Sequence, residues 1–147
     1  MSLLSKVQSE LNAPKGQFNS FGKYNYRSLE DIFEGLKPLL KKYECSVMVS
    51  DEMVMLGDRF YIKATAELRD KENTLVATNT GYARESLAKK GMDDSQVTGA
   101  TSSYARKYAL NGLFAIDDTK DADTDAYTSK TAGAGKANKT SAVSAWN

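Results

Sequence analysis

A chain of 147 residues with 41% apolar side chains is long enough for one domain and a tail, and a core of that size requires neither metal nor disulfide staples. Histidine is absent, which removes the commonest general base, the Ser-His and Cys-His nucleophile pairs and histidine zinc sites together. The net charge is only +1, and it is unevenly spread: residues 1–116 hold 16 Lys/Arg against 14 Asp/Glu, residues 117–127 five Asp and one Lys, and residues 128–147 three Lys and no acid.

In chain order, Leu3, Leu4, Val7 and Leu11 recur at helical spacing and stop before Pro14, which predicts a short amphipathic helix over about residues 2–12. Residues 15–27, KGQFNSFGKYNYR, mix four aromatics with three basic side chains without a sustained period and are read as an ordered loop. Ser28 has the chemistry of an N-cap, with Asp31 three residues on. Leu29, Ile32, Phe33, Leu36, Leu39, Leu40 and Tyr43 then form one stripe of a second helix, in which Pro38 predicts a kink or break. From Cys45 the period changes to two. Cys45, Val47 and Val49 alternate with polar neighbours, and Phe60, Ile62, Ala64, Ala66 and Leu68 alternate with Tyr61, Lys63, Thr65, Glu67 and Arg69, giving two strands. Turns at Leu56-Gly57-Asp58 and at Asp70-Lys71-Glu72-Asn73 lead into a third strand from Thr74 to Arg84. A third, long helix starts near Asp93 or Ser95 and ends by Ala115, its acidic start matching the positive end of the helix dipole. Residues 122–147 offer almost nothing to bury before Trp146 and read as a largely disordered tail.

The long helix carries the functional argument. At about 100 degrees per residue, Val97, Ala100, Thr101, Tyr104 and Tyr108 share one side, expected to pack on a sheet, while Gly99, Ser102, Ser103 and Arg106 take the opposite side with Lys107 at its flank. Small residues around a guanidinium let a phosphate backbone come close, although such a face is also an ordinary solvated surface. Farther along, Leu110, Leu113 and Phe114 fall on this same side, which predicts a cover of another helix or a neighbouring subunit there.

Thr98-Gly99, then Tyr104-Ala105-Arg106-Lys107-Tyr108-Ala109-Leu110 and Leu113-Phe114, followed by Asp117-Asp118, resemble the signature of the Erf (essential recombination function) family of phage single-strand annealing proteins. The upstream order, YNYRSLEDIFEGLKPLL and a strand ending Gly81-Tyr82-Ala83-Arg84, is similar too, so the resemblance covers about residues 3–125. It implies an α+β fold: a β-β-β-α core of the wider Red-beta-like superfamily, with an antiparallel three-stranded sheet packed by a long helix, extra N-terminal helices and a disordered C-terminal tail. The expected division is a DNA-binding and oligomerisation domain at 1–121 and a tail at 122–147. The resemblance implies ATP-independent binding of single-stranded DNA and of the annealed duplex intermediate in a groove between helix and sheet. It also implies assembly as a homo-oligomeric ring or helical filament in the cytoplasm of a bacterial host, no cofactor, and a tail available to a host single-strand-binding protein or a phage exonuclease.

Residue by residue, the resemblance assigns DNA binding to Arg106 and Lys107 on the helix, to Tyr26 and Arg27 before the second helix, and to Lys89 and Lys90 between the third strand and the helix. Arg84, Lys23 and Tyr24 complete the set. Relatives in the wider superfamily are basic one turn earlier on the helix, where Ser102 and Ser103 stand here, so phosphate binding is expected to be shared with Arg27, Lys89 and Lys90. Backbone contacts suit annealing because they leave base edges free to pair, and Tyr24 or Tyr26 is placed either to stack on a base or to staple the loop.

Other signals fail. Gly133-Ala134-Gly135-Lys136 lacks both the preceding glycine and the following Ser/Thr of a phosphate loop. Asp121, Asp123 and Asp125 begin like an EF-hand but meet Ala126 and Ala132 where Gly and Glu are required, so no metal site is assigned. The single cysteine excludes an internal disulfide and fits a reducing compartment, and no run of about 18 apolar residues suggests a membrane. The alternatives are a double-stranded RNA-binding module, which shares a helix, three strands and a helix in that order, a metal-dependent nuclease built on Asp117 to Asp125, and a scaffold that binds no nucleic acid.

Overall fold

Alternation of apolar and polar side chains over residues 60–68 generates the central strand of the molecule. In a computed structural model of the chain, which describes residues 1–87 and 91–117, the elements run α1 (Leu3–Glu10), β1 (Gln17–Asn19), β2 (Tyr24–Tyr26), α2 (Leu29–Lys42), β3 (Ser46–Leu56), β4 (Arg59–Arg69), β5 (Leu75–Arg84) and α3 (Asp94–Phe114). The protein is α+β, as the family resemblance implies. Its contacts divide it into a larger unit of Met1–Ala13 with Leu29–Ile116, and a second unit whose described residues are Pro14–Ser28 and Asp117.

In the larger unit β3, β4 and β5 form an antiparallel sheet in that order. Side chains alternate across a strand, so Ile62, Ala64, Ala66 and Leu68 of β4 share one face and are buried beneath α3. The register sets Val47 opposite Leu68 and Val49 opposite Ala66 on one side, and Ala83, Gly81 and Ala77 opposite Ile62, Ala64 and Leu68 on the other. Small residues let the helix come close. A Cβ on Gly81 would stand 2.5 Å from the Ala109 amide nitrogen and 2.7 Å from the Ala105 carbonyl. Next to it the Asn79 side chain donates to the Ala109 carbonyl at 3.0 Å.

The turns follow their sequence chemistry. Gly57 takes a left-handed φ of 65° between β3 and β4. Between β4 and β5 Asn73 does the same, and the Asp70 carboxylate accepts from the amides of Glu72 and Thr74 at 3.0 Å each. Helix α3 starts at a capping box, in which Asp93 accepts from the Gln96 amide at 2.8 Å while Gln96 accepts from the Asp93 amide at 3.0 Å. It ends at Ala115, whose φ of 56° is left-handed.

Helices α1 and α2 cover the C-terminal half of α3, which accounts for the apolar side formed by Leu110, Leu113 and Phe114. These pack with Val7, Ile32, Leu36 and Leu39 in one cluster, and the Gln8 side chain donates to the Leu113 carbonyl at 2.8 Å. Helix α2 runs unbroken through Pro38. Leu36 and Leu39, buried on either side of the proline, anchor both halves, and that packing outweighs the lost backbone bond.

The second unit contains a hairpin where the sequence reads as a loop. β1 and β2 pair antiparallel with Phe18 opposite Asn25. The turn is closed by the Asn19 side chain, which accepts from the amides of Phe21 and Gly22 at 2.9 and 3.0 Å, and by Lys23 at a φ of 56°. Strands of three residues are too short for alternation to show.

Candidate nucleic-acid interface

The helix that carries the sequence signature packs with a side that only partly overlaps the one its tyrosines suggest. Val97 and Thr101 of the expected side are buried, but Ala105 and Ala109 complete that face, whereas Tyr104 is 42% exposed and Ala100 and Tyr108 are only half-buried. The buried face is therefore turned by roughly a quarter of the circumference from the expected one. The cause is steric: Ala64, Ala66 and Gly81 make a flat floor that admits alanines, and a tyrosine at position 105 would hold the helix off. Tyr104 and Tyr108 instead lie along the rim, their ring centroids 6.3 Å apart, and the Lys107 ammonium sits 4.7 Å from the Tyr104 ring centre.

This rotation moves Arg106 from the outer side to the flank of the helix that overlooks β3. There its Nε donates to Asp51 Oδ1 at 3.0 Å and its Nη2 to Asp51 Oδ2 at 3.1 Å, and the Ser102 hydroxyl donates to the same Oδ2. Asp51 sits on the helix side of β3, opposite Ala64. Two and four residues farther along that face come Met53 and Met55, which with Phe60 opposite Met55 are 49%, 56% and 46% exposed. One turn back on α3, a Cβ on Gly99 would meet nothing within 4 Å, and Ser103 is exposed. Because α3 lies mainly over β5 and β4, the helix side of β3 beyond Asp51 is left as a trough, while Val47 and Val49 at the other end of the strand pack on the core. Its floor is Met53, Met55 and Phe60, and its wall is Ser102 and Arg106, which reach across to Asp51.

The remaining expected residues fall elsewhere. Arg84 pairs with Tyr61 on the sheet face away from α3, so it does not join Arg106. On that face Lys63 lies opposite Tyr82, 6.0 Å from its ring centre. Lys23, Tyr24, Tyr26 and Arg27 all belong to the second unit. In it the Tyr24 and Tyr26 rings meet edge to face at 6.3 Å, and the Tyr24 hydroxyl accepts from Asn19 at 3.1 Å. Lys89 and Lys90, the Asp cluster from Asp118 to Asp125, the Gly133 to Lys136 stretch and Trp146 lie outside the described residues. Sequence reasoning missed Asp51. It is the one acid on the helix side of β3, and strand periodicity alone does not tell which helical residue stands across from it.

A long helix packed across a three-stranded antiparallel sheet, with an arginine and a serine overlooking exposed apolar side chains of β3 and β4, defines the class of the protein as α+β. The sequence model of the ERF superfamily matches residues 2–146, and the chain belongs to that family. It is 64% identical over 122 residues to the essential recombination function protein of Salmonella phage P22. The match takes in 83% of this chain and 58% of the phage protein, so the chain spans less than two thirds of that relative's length. No solved structure matches it. Among the described residues no helix is long and apolar enough to cross a membrane.

Proposed function

We propose that the protein binds single-stranded DNA without ATP or a cofactor and pairs complementary strands during recombination. The observation that supports this reading best is the trough between α3 and β3, which is long, half apolar and bordered by the guanidinium of the signature motif. A strand laid there has its phosphates toward Arg106 and Ser102 and its bases over Met53, Met55 and Phe60. Lys107 adds a cation on α3, Lys89, Lys90 and Arg84 are assigned to DNA from the family signature, and the hairpin residues Lys23, Tyr24, Tyr26 and Arg27 supply a second aromatic and basic element. Contacts to phosphate carry no sequence preference and leave pairing edges free, which is what annealing demands.

Assembly into a ring or filament belongs to the same reading. Within the described sheet β3 and β5 each keep an unpaired edge, and such edges are templates for a second chain. The tail from residue 122 onward is assigned to partner proteins, a host single-strand-binding protein or a phage exonuclease, in the cytoplasm of a bacterial host.

The test mixes complementary fluorescent oligonucleotides with protein, without ATP or metal, and compares wild type with Arg106→Ala. Acceleration of pairing by wild type, with a loss of about tenfold in the variant, is the expected outcome. No binding even at low salt rejects the proposal. Cleavage after divalent metal is added, or preference for duplex RNA, replaces it with a nuclease or an RNA-binding module.

A further inference from the structure

We infer that Asp51 is a phosphate surrogate: its carboxylate occupies the place on Arg106 and Ser102 that a DNA phosphate takes, and single-stranded DNA binds by displacing it. The inference rests on the proposed role of Arg106. Three donors converge on one carboxylate, Arg106 Nε and Nη2 on its two oxygens and the Ser102 hydroxyl on Oδ2. A planar fork closed by a hydroxyl is the donor set that recognises either a carboxylate or two oxygens of a phosphate. Asp51 thus satisfies the site in the free protein with the ligand's own chemistry.

Placement makes the exchange feasible. The Arg106 and Asp51 side chains keep 34% and 22% of their surface exposed, so water and an incoming anion reach the pair without disturbing the core beneath Ala105 and Ala109. The neighbours of Asp51 on its own face, Val49 and Met53, hold no cation to compensate a displaced carboxylate. Glu52, the next acid along, is on the opposite face beside Lys63 at 3.6 Å. The trough is consequently neutral with Asp51 in place and gains a cation once that charge is removed. A bound phosphate also lies beside the carboxylate it displaced, and two unit charges about 4 Å apart in water repel by an amount worth roughly fivefold in affinity. Asp51 therefore keeps binding weak enough for strands to be released and re-aligned, which annealing requires and a tight clamp prevents.

The test uses the full chain, a fluorescein-labelled oligothymidine and anisotropy titrations across a range of KCl concentrations, for wild type, Asp51→Asn, Arg106→Ala and the double variant. Expected are about fivefold tighter binding by Asp51→Asn at low salt, a salt slope steeper by about 0.7, and a double variant no tighter than Arg106→Ala alone. The last result separates competition for Arg106 from a general change of charge. Weaker or unchanged binding by Asp51→Asn, while Arg106→Ala still weakens it, overturns the inference and makes Asp51 a residue that merely orients Arg106. Should Asp51→Asn unfold, Asp51→Ser is measured in its place; if both unfold, the pair is structural and the inference is likewise overturned. A wild type that ignores the oligonucleotide, or an Arg106→Ala chain that binds like wild type, refutes the proposed function itself.

Discussion

Gly81 shows how a single missing methyl group positions the candidate site. Its Cα faces the backbone of α3 between Ala105 and Ala109, and a Cβ there would lie 2.8 Å from Tyr108 Cβ as well as against two backbone atoms. Backbone cannot swing aside as a side chain does, so Gly81→Ala is expected to cost about 2 to 3 kcal/mol, measured as a lower urea midpoint with an unchanged slope. Annealing should fall with it, because lifting α3 moves Arg106 away from β3. Cys45 offers a second residue-scale test. Burial pushes its thiol up from the ordinary range, and the thiolate is the reactive form. Iodoacetamide should therefore modify Cys45 more slowly than free cysteine at neutral pH, by mass spectrometry, with the rate climbing only at alkaline pH. The sign for stability agrees: a raised folded value favours the neutral thiol, so its contribution is complete at neutral pH and is lost as pH rises through that value.

Among the elements, those with long unbroken patterns were legible from sequence and those decided by packing were not. Strand β4 and the ends of α3 follow directly from alternation and from Asp93, whereas the side of α3 that meets the sheet does not. Hydrophobicity favours the tyrosines, yet the approach distance set by Gly81, Ala64 and Ala66 favours Ala105 and Ala109. The partner of Arg106 was hidden for the same reason, since a quarter-turn of the helix decides whether it faces solvent or Asp51. The caps of α3 carry their own prediction. Asp93→Ala removes a reciprocal capping pair and is expected to cost about 1 kcal/mol. Ala115 sits at a φ of 56°, a conformation that costs a residue with a Cβ about 1 kcal/mol, so Ala115→Gly should raise the unfolding midpoint. Thermal denaturation of the two variants checks both signs, and equal midpoints would mean that the helix ends contribute nothing to global stability.

For the whole molecule, charge and burial separate what holds the fold from what meets a partner. The buried side chains of the described residues run from Val7 to Phe114. Residues 1–121 carry 17 Lys/Arg and 17 Asp/Glu, while residues 122–147 carry three Lys and two Asp, so the first segment is neutral and the second has a net charge of +1. A chain ending at Asp121 should then unfold within about 0.5 kcal/mol of the full chain, because it keeps every buried side chain of the described residues. Its DNA binding is the more telling measurement. With no net charge to steer an oligonucleotide from a distance, the proposed function draws affinity from contacts in the trough and on the hairpin, and the salt slope counts them at about 0.7 per phosphate. If the tail serves protein partners, the truncated and full chains share one slope and one annealing rate. If the lysines at 130, 136 and 139 grip DNA, truncation flattens the slope by about 2, and the strand path extends beyond α3 and β3 into the tail.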